Sequence, residues 1–205
     1  MDKLLDFYEA SADYISYLLR FDSKVPRVDY SATSKHDRFL CGIVLYVNGQ
    51  DYFAPISSFA TQQRTNLIIK NEEGKTLSSI RFSFMIPVPP GAITVKRIKD
   101  EPSPTYRRLL DWELQFCRKN AKAIYRLAKF VYNTVAENKD PIMVKNCCDF
   151  KKLEAACAEY SQQDKVAVRN DEKQESMRSA TPKGEVQPKT SLLGRLAEAK
   201  EEADA

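Results

Sequence analysis

Two adjacent hydroxyls, Ser57-Ser58, end the apolar run Ala54-Pro55-Ile56, and Thr61, Gln62, Gln63, Arg64 and Asn66 follow closely. Hydroxyls, amides and a guanidinium gathered at the end of a strand can hold a phosphate or the edge of a nucleotide. The same serine pair also suits a plain capping role for whatever follows. A second polar group, Tyr30, Lys35, His36 and Arg38, sits in the aperiodic stretch 27–38, which reads as a loop. His36 is the single histidine of the chain; it is either a general acid or an exposed residue without a role. A third set, Arg118, Lys119, Lys122, Arg126 and Lys129, is either the solvated side of a helix or a stripe that tracks phosphates.

Other chemistries have no foothold. The sequence contains no Walker loop, no dinucleotide fingerprint, no HExxH and no Gly-x-Ser-x-Gly elbow. Five cysteines, Cys41, Cys117, Cys147, Cys148 and Cys157, are an odd number that fits no disulfide framework. The adjacent pair Cys147-Cys148 with one histidine makes a poor zinc site. Buried thiols without chemistry are the expectation, with no metal and no cofactor.

The elements that must position these groups are legible from spacing. Ser11 caps a helix in which Tyr14, Ile15, Leu18, Leu19 and Phe21 recur on one side, stopped by Lys24-Val25-Pro26. Phe39 to Val47 and Gln50 to Ile56 alternate as strands about Asn48-Gly49, a strong hairpin signal. Further strand-like runs are Asn66 to Lys70, Ile80 to Val88 and Ile93 to Ile98, giving four or five antiparallel strands, since the connections are too short for crossover helices. Ser103-Pro104 starts a long amphipathic helix, with a break expected near Asn120, that packs on the sheet. Asp149 to Tyr160 forms another helix.

Composition then divides the chain. All ten Phe, ten Tyr and the single Trp of the 205 residues lie at or before Tyr160, so residues 1–162 read as the folded body and 163–205 as a polar linker with a short C-terminal helix around Leu192, Leu193 and Leu196 that is disordered unless a partner orders it. Lys and Arg outnumber Asp and Glu 24 to 19 through Gln163, and trail them 8 to 9 beyond it. The positive excess therefore sits on the body and permits an anionic partner without requiring one. No window approaches the ~20 apolar residues of a membrane span, and the start MDKLLDFYEAS lacks a signal-peptide pattern. The expectation is a cytoplasmic protein with no membrane contact.

Five separated segments resemble the ToxN/AbiQ family, the endoribonuclease toxins of type III toxin-antitoxin systems. They are Tyr14-Ile15-Ser16-Tyr17-Leu18 with Phe21-Asp22-Ser23-Lys24-Val25-Pro26, then Phe39 to Leu45, then Tyr52-Phe53-Ala54-Pro55-Ile56-Ser57-Ser58, then Phe82 to Val88, and Tyr106 to Leu110 with Glu113 to Phe116. A sixth is Cys148 to Glu154. They occur in the family's order. The resemblance implies an α+β fold, a curved antiparallel β-sheet of the barrel-like, small toxin ribonuclease type with packed helices. It implies metal-independent cleavage of single-stranded, A-rich RNA, and inhibition by a repeated, pseudoknot-like antitoxin RNA in an RNA-bridged ring. It also implies a role in phage defence by abortive infection and in plasmid maintenance, with cellular or phage mRNA as substrate and no part for DNA.

By resemblance, Tyr30 falls where the family carries an active-site tyrosine, Ser57 and Ser58 match its paired hydroxyls, and Arg38 lies near a basic position for which Lys35 and His36 are alternatives. Two residues after the serine pair the family carries a lysine, and this chain has Ala60. A methyl group neither stabilises phosphate charge nor transfers a proton, so the resemblance implies a copy impaired in catalysis, whether naturally or by an engineered change. Arg64 is the candidate replacement cation. Two other readings stand beside the ribonuclease: an RNA-binding module without turnover, and a protein-interaction module built on the C-terminal leucines.

Overall fold

Chain order runs β1 (Phe7–Ala10), α1 (Ala12–Leu19), β2 (Cys41–Val47), β3 (Gln50–Ser57), β4 (Asn66–Lys70) and β5 (Thr76–Arg81). It continues through β6 (Ile86–Pro87), β7 (Ile93–Val95), α2 (Pro104–Lys119), α3 (Ala121–Ala136), α4 (Pro141–Asn146) and α5 (150–162). The computed structural model describes residues 5–27 and 41–162. The loop candidates Tyr30, Lys35, His36 and Arg38, and the C-terminal segment with its leucines, lie outside the described residues.

The predicted hairpin joins β2 to β3. Asn48 and Gly49 both take positive φ, 49° and 88°, as a two-residue turn matched to strand twist requires. In β2, Ile43, Leu45 and Val47 are buried while Tyr46 points out, the alternation expected of a strand with one face on the core. Gly42 opposes Pro55, and a Cβ at Gly42 would collide with the Ala54 carbonyl oxygen and lie 2.7 Å from the Phe53 ring tip.

Every strand pair is antiparallel, as the short connections predict. The order is β4-β5-β3-β2-β1-β7, with β6 also on β3. β3 changes partners along its length. Residues from Gln50 to Pro55 pair with β2, Tyr52 and Phe53 pair on the other edge with β6, and Ile56 and Ser57 pair with β5. This hand-over carries Ser57 into the second ladder and leaves Ser58 just past the strand end.

The structure corrects the sequence reading in several places. Among the described residues, seven strands replace four or five. β1 is new, and its signal was weak because its partners, β2 and β7, are distant in sequence. The run from Ile80 to Val88 is not one strand: β5 ends at Arg81, a 3₁₀ turn covers Phe82–Phe84, and β6 is two residues long. The run from Ile93 to Ile98 stops being a strand after Val95. Among the described residues the sheet path runs from β4 to β7. As the sequence led one to expect, the long helix divides at Asn120, where the backbone leaves helical geometry (φ −106°, ψ 15°). α2 lies against β4 and β5, and α3 against β2.

The segment Phe21 to Pro26 is a structural clasp. Asp22 accepts the Lys24 amide at 2.9 Å through Oδ1 and the Asp149 amide at 2.7 Å through Oδ2. The Lys24 ammonium donates to the carbonyls of Val144 (3.4 Å), Lys145 (3.3 Å) and Cys147, satisfying acceptors left over at the end of α4. A second clasp fixes the far end of β3. Glu154 Oε1 accepts from the hydroxyls of Tyr52 (2.8 Å) and Tyr132 (2.7 Å), while Lys151 donates to Glu154 Oε2 (3.0 Å) and to the Tyr132 hydroxyl (2.7 Å). Rings of Tyr52, Tyr132 and Phe150 pack around it with centroids 5.6 to 5.9 Å apart.

Candidate active site

β3 delivers Ser57 opposite Ser79 of β5, so both side chains share one face of the sheet. Beyond Ser57 the chain turns without forming a helix, so what the serine pair could cap is a turn. Ser57 Oγ accepts the Phe59 amide at 3.1 Å, and Ser79 Oγ donates to the Phe59 carbonyl at 2.7 Å. Phe59 is thus held through both backbone groups. A hydroxyl that accepts one bond keeps its own proton to donate, so Ser57 retains a donor for a ligand oxygen. Ser58 and Ala60 on either side of Phe59 are exposed.

Asn66 organises the rest of the loop from within. It is fully buried; its Oδ1 accepts from the Gln63 amide (2.8 Å) and from Gln62 Nε2 (3.1 Å), and its Nδ2 donates to the Thr61 carbonyl (2.9 Å). Its side chain is therefore committed to the loop itself, while Gln62 and Gln63 remain exposed. Arg64 projects from the loop, 69% exposed, and meets Asp140 at 2.7 Å. Asp140 also caps α4 through the amides of Ile142 (3.0 Å) and Met143 (3.1 Å). Those two amides, Met143 first, and then Arg64 hold its carboxyl below the usual value against a smaller opposing effect of burial.

One residue of this face escaped the sequence reading. Arg81 stands at the end of β5, opposite Asn66 in the β4 ladder, with its guanidinium 4.2 Å from the Phe59 ring centre and 4.8 Å from that of Phe84. Burial lowers its pKa. A lone arginine in a strand has no periodic companion to mark it; the available signal was its place beside the aromatic Phe82-Ser83-Phe84.

The basic helix residues separate. Arg118, though exposed, is engaged with the N-terminal segment, donating to the Leu5 carbonyl (2.8 Å) and pairing with Asp6. Lys119 closes α2, and Lys122, Arg126 and Lys129 are exposed along one side of α3. Glu113 of α2 is buried, and burial pushes its carboxyl up, with the nearby Ser78 hydroxyl opposing. Its spacing within Leu110, Leu114 and Cys117 was the sequence signal for that burial. The five cysteines are free and buried; burial pushes Cys41 up to about 12 and Cys147 up to about 11. Among the described residues no group of His, Cys, Asp or Glu side chains is arranged to hold a metal ion, and no helix is long and apolar enough to cross a membrane.

Residues 6–158 match the family model for "Toxin ToxN, type III toxin-antitoxin system". The chain belongs to this toxin family. It is 30% identical over 176 residues to endoribonuclease ToxN of Bacillus thuringiensis subsp. kurstaki, covering 80% of this chain and 88% of the relative. It is 28% identical over 170 residues to endoribonuclease AbiQ of Lactococcus lactis subsp. lactis, covering 77% and 90%. Among solved structures it resembles a toxin of a bacterial type III system that a non-coding RNA pseudoknot selectively inhibits, at TM-score 0.68 and 28% identity, covering 78% of this chain and 99% of the other. The solved structure of AbiQ, a lactococcal anti-phage endoribonuclease, shares the fold at TM-score 0.69 and 23% identity, covering 78% and 99%. Within the family frame, Tyr14, Asp22, Lys24 and Glu154 of the resembling segments build the scaffold, and Ser57 and Ser58 stand at its exposed strand end.

Proposed function

We propose that this toxin is an endoribonuclease that cuts single-stranded, A-rich RNA without a metal ion, and that Ala60 leaves this copy impaired. The supporting observation is the pair Ser57-Ser58, presented at the end of β3 by a turn fixed on both sides of Phe59, in a chain of the ToxN family. In the reaction the ribose 2′-oxygen attacks the adjacent phosphorus. The 2′-O–P bond forms, the P–O5′ bond breaks, and the products are a 2′,3′-cyclic phosphate and a 5′-hydroxyl. The 2′ proton leaves to a base and the O5′ oxygen gains one, with Tyr30, Lys35 and His36 as the candidate proton carriers and Arg38 as a fixed positive charge beside the phosphate. Ser57 and Ser58 donate to the phosphate oxygens as charge builds on them.

A lysine at position 60 would add a cation at that point of charge build-up, and donors of this kind typically change rates by about 10²–10³-fold. The Ala60→Lys protein, incubated with A-rich single-stranded RNA, is expected to release fragments ending in 2′,3′-cyclic phosphate at a rate higher by that factor. Equal rates for the two proteins would overturn the assignment of Ala60. The second reading, an RNA-binding module without turnover, is favoured by Ala60 itself; under it the unaltered chain binds the same RNA and releases no fragments.

The regulatory partner in this proposal is a repeated antitoxin RNA of pseudoknot type that joins several toxins into a closed ring, in a cytoplasmic system that aborts phage infection. The inhibition of a related type III toxin by an RNA pseudoknot supports it. The loop Gln62 to Arg64 and the exposed cations Lys119, Lys122 and Arg126 are the proposed contacts for the RNA backbone, with Asn66 shaping the loop and Arg118 fixing the N-terminal segment. Function is assigned to residues 1–162, so removal of 164–205 is expected to leave RNA binding intact.

A further inference from the structure

The face that carries Ser57 already holds a cation. Arg81 lies two residues beyond Ser79, the direct partner of Ser57, so its side chain emerges on the same face as the serine hydroxyl, at the diagonal position about 7–8 Å away. Its guanidinium is flanked by the rings of Phe59 and Phe84 at 4.2 and 4.8 Å. Its Nε is buried with no hydrogen-bond partner, and no described carboxylate pairs with it. A partly buried cation normally finds an anion, because a charge withdrawn from water without one is costly. Two aromatic faces hold this one in a fixed plane, and its missing counter-charge points to an anionic ligand.

We propose that Arg81 binds a phosphodiester of single-stranded RNA in bidentate fashion, at a subsite shared with the Ser57 hydroxyl. The planar fork suits two phosphate oxygens. Phe59 connects the parts: its ring stacks on Arg81 while its backbone is held by Ser57 and Ser79, so the turn that presents the serines also aligns the guanidinium. The inference rests on the ribonuclease reading and adds a group to it. It also accounts for how a chain with Ala60 retains a cation where the phosphate sits.

The test is binding of a labelled A-rich single-stranded RNA across a salt series, with the unaltered protein and with Arg81→Gln and Arg81→Lys. Loss of one phosphate contact lowers the slope of log K against log salt by about 0.7 for a single strand. Arg81→Gln is expected to show that change and to bind about tenfold more weakly at low salt, with its melting temperature maintained. Arg81→Lys keeps the charge and loses the fork, so its slope should match the parent while its affinity falls. A folded Arg81→Gln protein with the parental slope and affinity overturns the proposal. If that variant fails to fold, parental affinity in Arg81→Lys does so. A parent that binds no RNA, with no cleavage by the Ala60→Lys protein, overturns the ribonuclease reading and this inference with it; RNA binding unaltered by either Arg81 change overturns this inference alone.

Discussion

Arg64 and Asp140 meet at 2.7 Å although 76 residues separate them, and the carboxylate that receives the arginine is also the cap of α4. The serine-bearing loop and the last third of the body are therefore joined at a helix end. Asp140→Ala removes both functions. The expected result is a lower melting temperature, because the first amides of α4 lose their acceptor, together with tighter RNA binding at low salt, because Arg64 is released to bind phosphate. The depressed carboxyl gives this link a pH signature: it is complete above the ordinary aspartate value of 3.8 and is lost as pH falls through the lower folded value. An Asp140→Ala protein with parental melting temperature at pH 7 contradicts the capping role.

Asn66 is a loop-builder that reads, in sequence, like a ligand-binding amide. Its replacement by alanine leaves the Gln63 amide and the Thr61 carbonyl without their partner in two part-buried hydrogen bonds, a loss of about 0.5–1.5 kcal/mol for each. Denaturant unfolding measures it. RNA binding should fall through disorder of Gln62 to Arg64, so stability and affinity move together. Weaker binding at unchanged stability would instead mark Asn66 as a direct contact.

Two glutamates titrate in opposite senses. Burial pushes Glu154 up, but Tyr132, Tyr52 and Lys151 together outweigh it and hold the carboxyl below 4.5. Its contribution to stability is full above that value and disappears as pH falls through the folded pKa. In Glu154→Gln the acid side of the stability profile should be flatter, and the parent's advantage should vanish at low pH. Thermal melts from pH 3 to 7, a range of about four units around the ordinary carboxylate values, provide the comparison.

Glu113 reverses the sign. Burial raises its pKa above 4.5, with Ser78 opposing, so the folded state binds its proton more tightly than the unfolded state and stability declines as pH rises between the two values. Glu113→Gln removes that decline. The variant should gain on the parent as pH rises above 4.5, and the gain should be absent in acid, where both states of the parent are protonated. A constant difference at all pH values would show that the effect comes from packing rather than from titration.

Gly42→Ala places a methyl group against the Ala54 carbonyl and the Phe53 ring. Overpacking at such a point costs about 1–3 kcal/mol, and it falls at the register-setting pair Gly42 and Pro55. A drop in melting temperature with faster amide exchange in β2 and β3 is the expected result; an unchanged melt would show that the strands part freely there.

Features written in neighbouring residues were legible without coordinates. Asn48-Gly49 demanded the hairpin, Ser11 and Ser103-Pro104 fixed helix starts, and Asn120 marked the break between α2 and α3. Features that depend on distant partners were not. Phe7 to Ala10 is a strand only because β2 and β7 flank it, and α4 is six residues long, too short for a periodic signal although Asp140-Pro141 announces its start. At the site, Ser57-Ser58 could be recognised from type and position. Arg81 could not, because its meaning depends on Phe59, which arrives from the turn after β3, and Lys24, read as part of a helix stop, serves the end of α4.

β3 is held at Tyr52 by Glu154 and bears its serines at Ser57, five residues on, a separation of about 17 Å at the usual rise. The strand works as a beam supported at both ends, by Glu154 near its start and by β5 beside Ser57. Residues beyond that strand end can be exchanged without slipping the register beneath them.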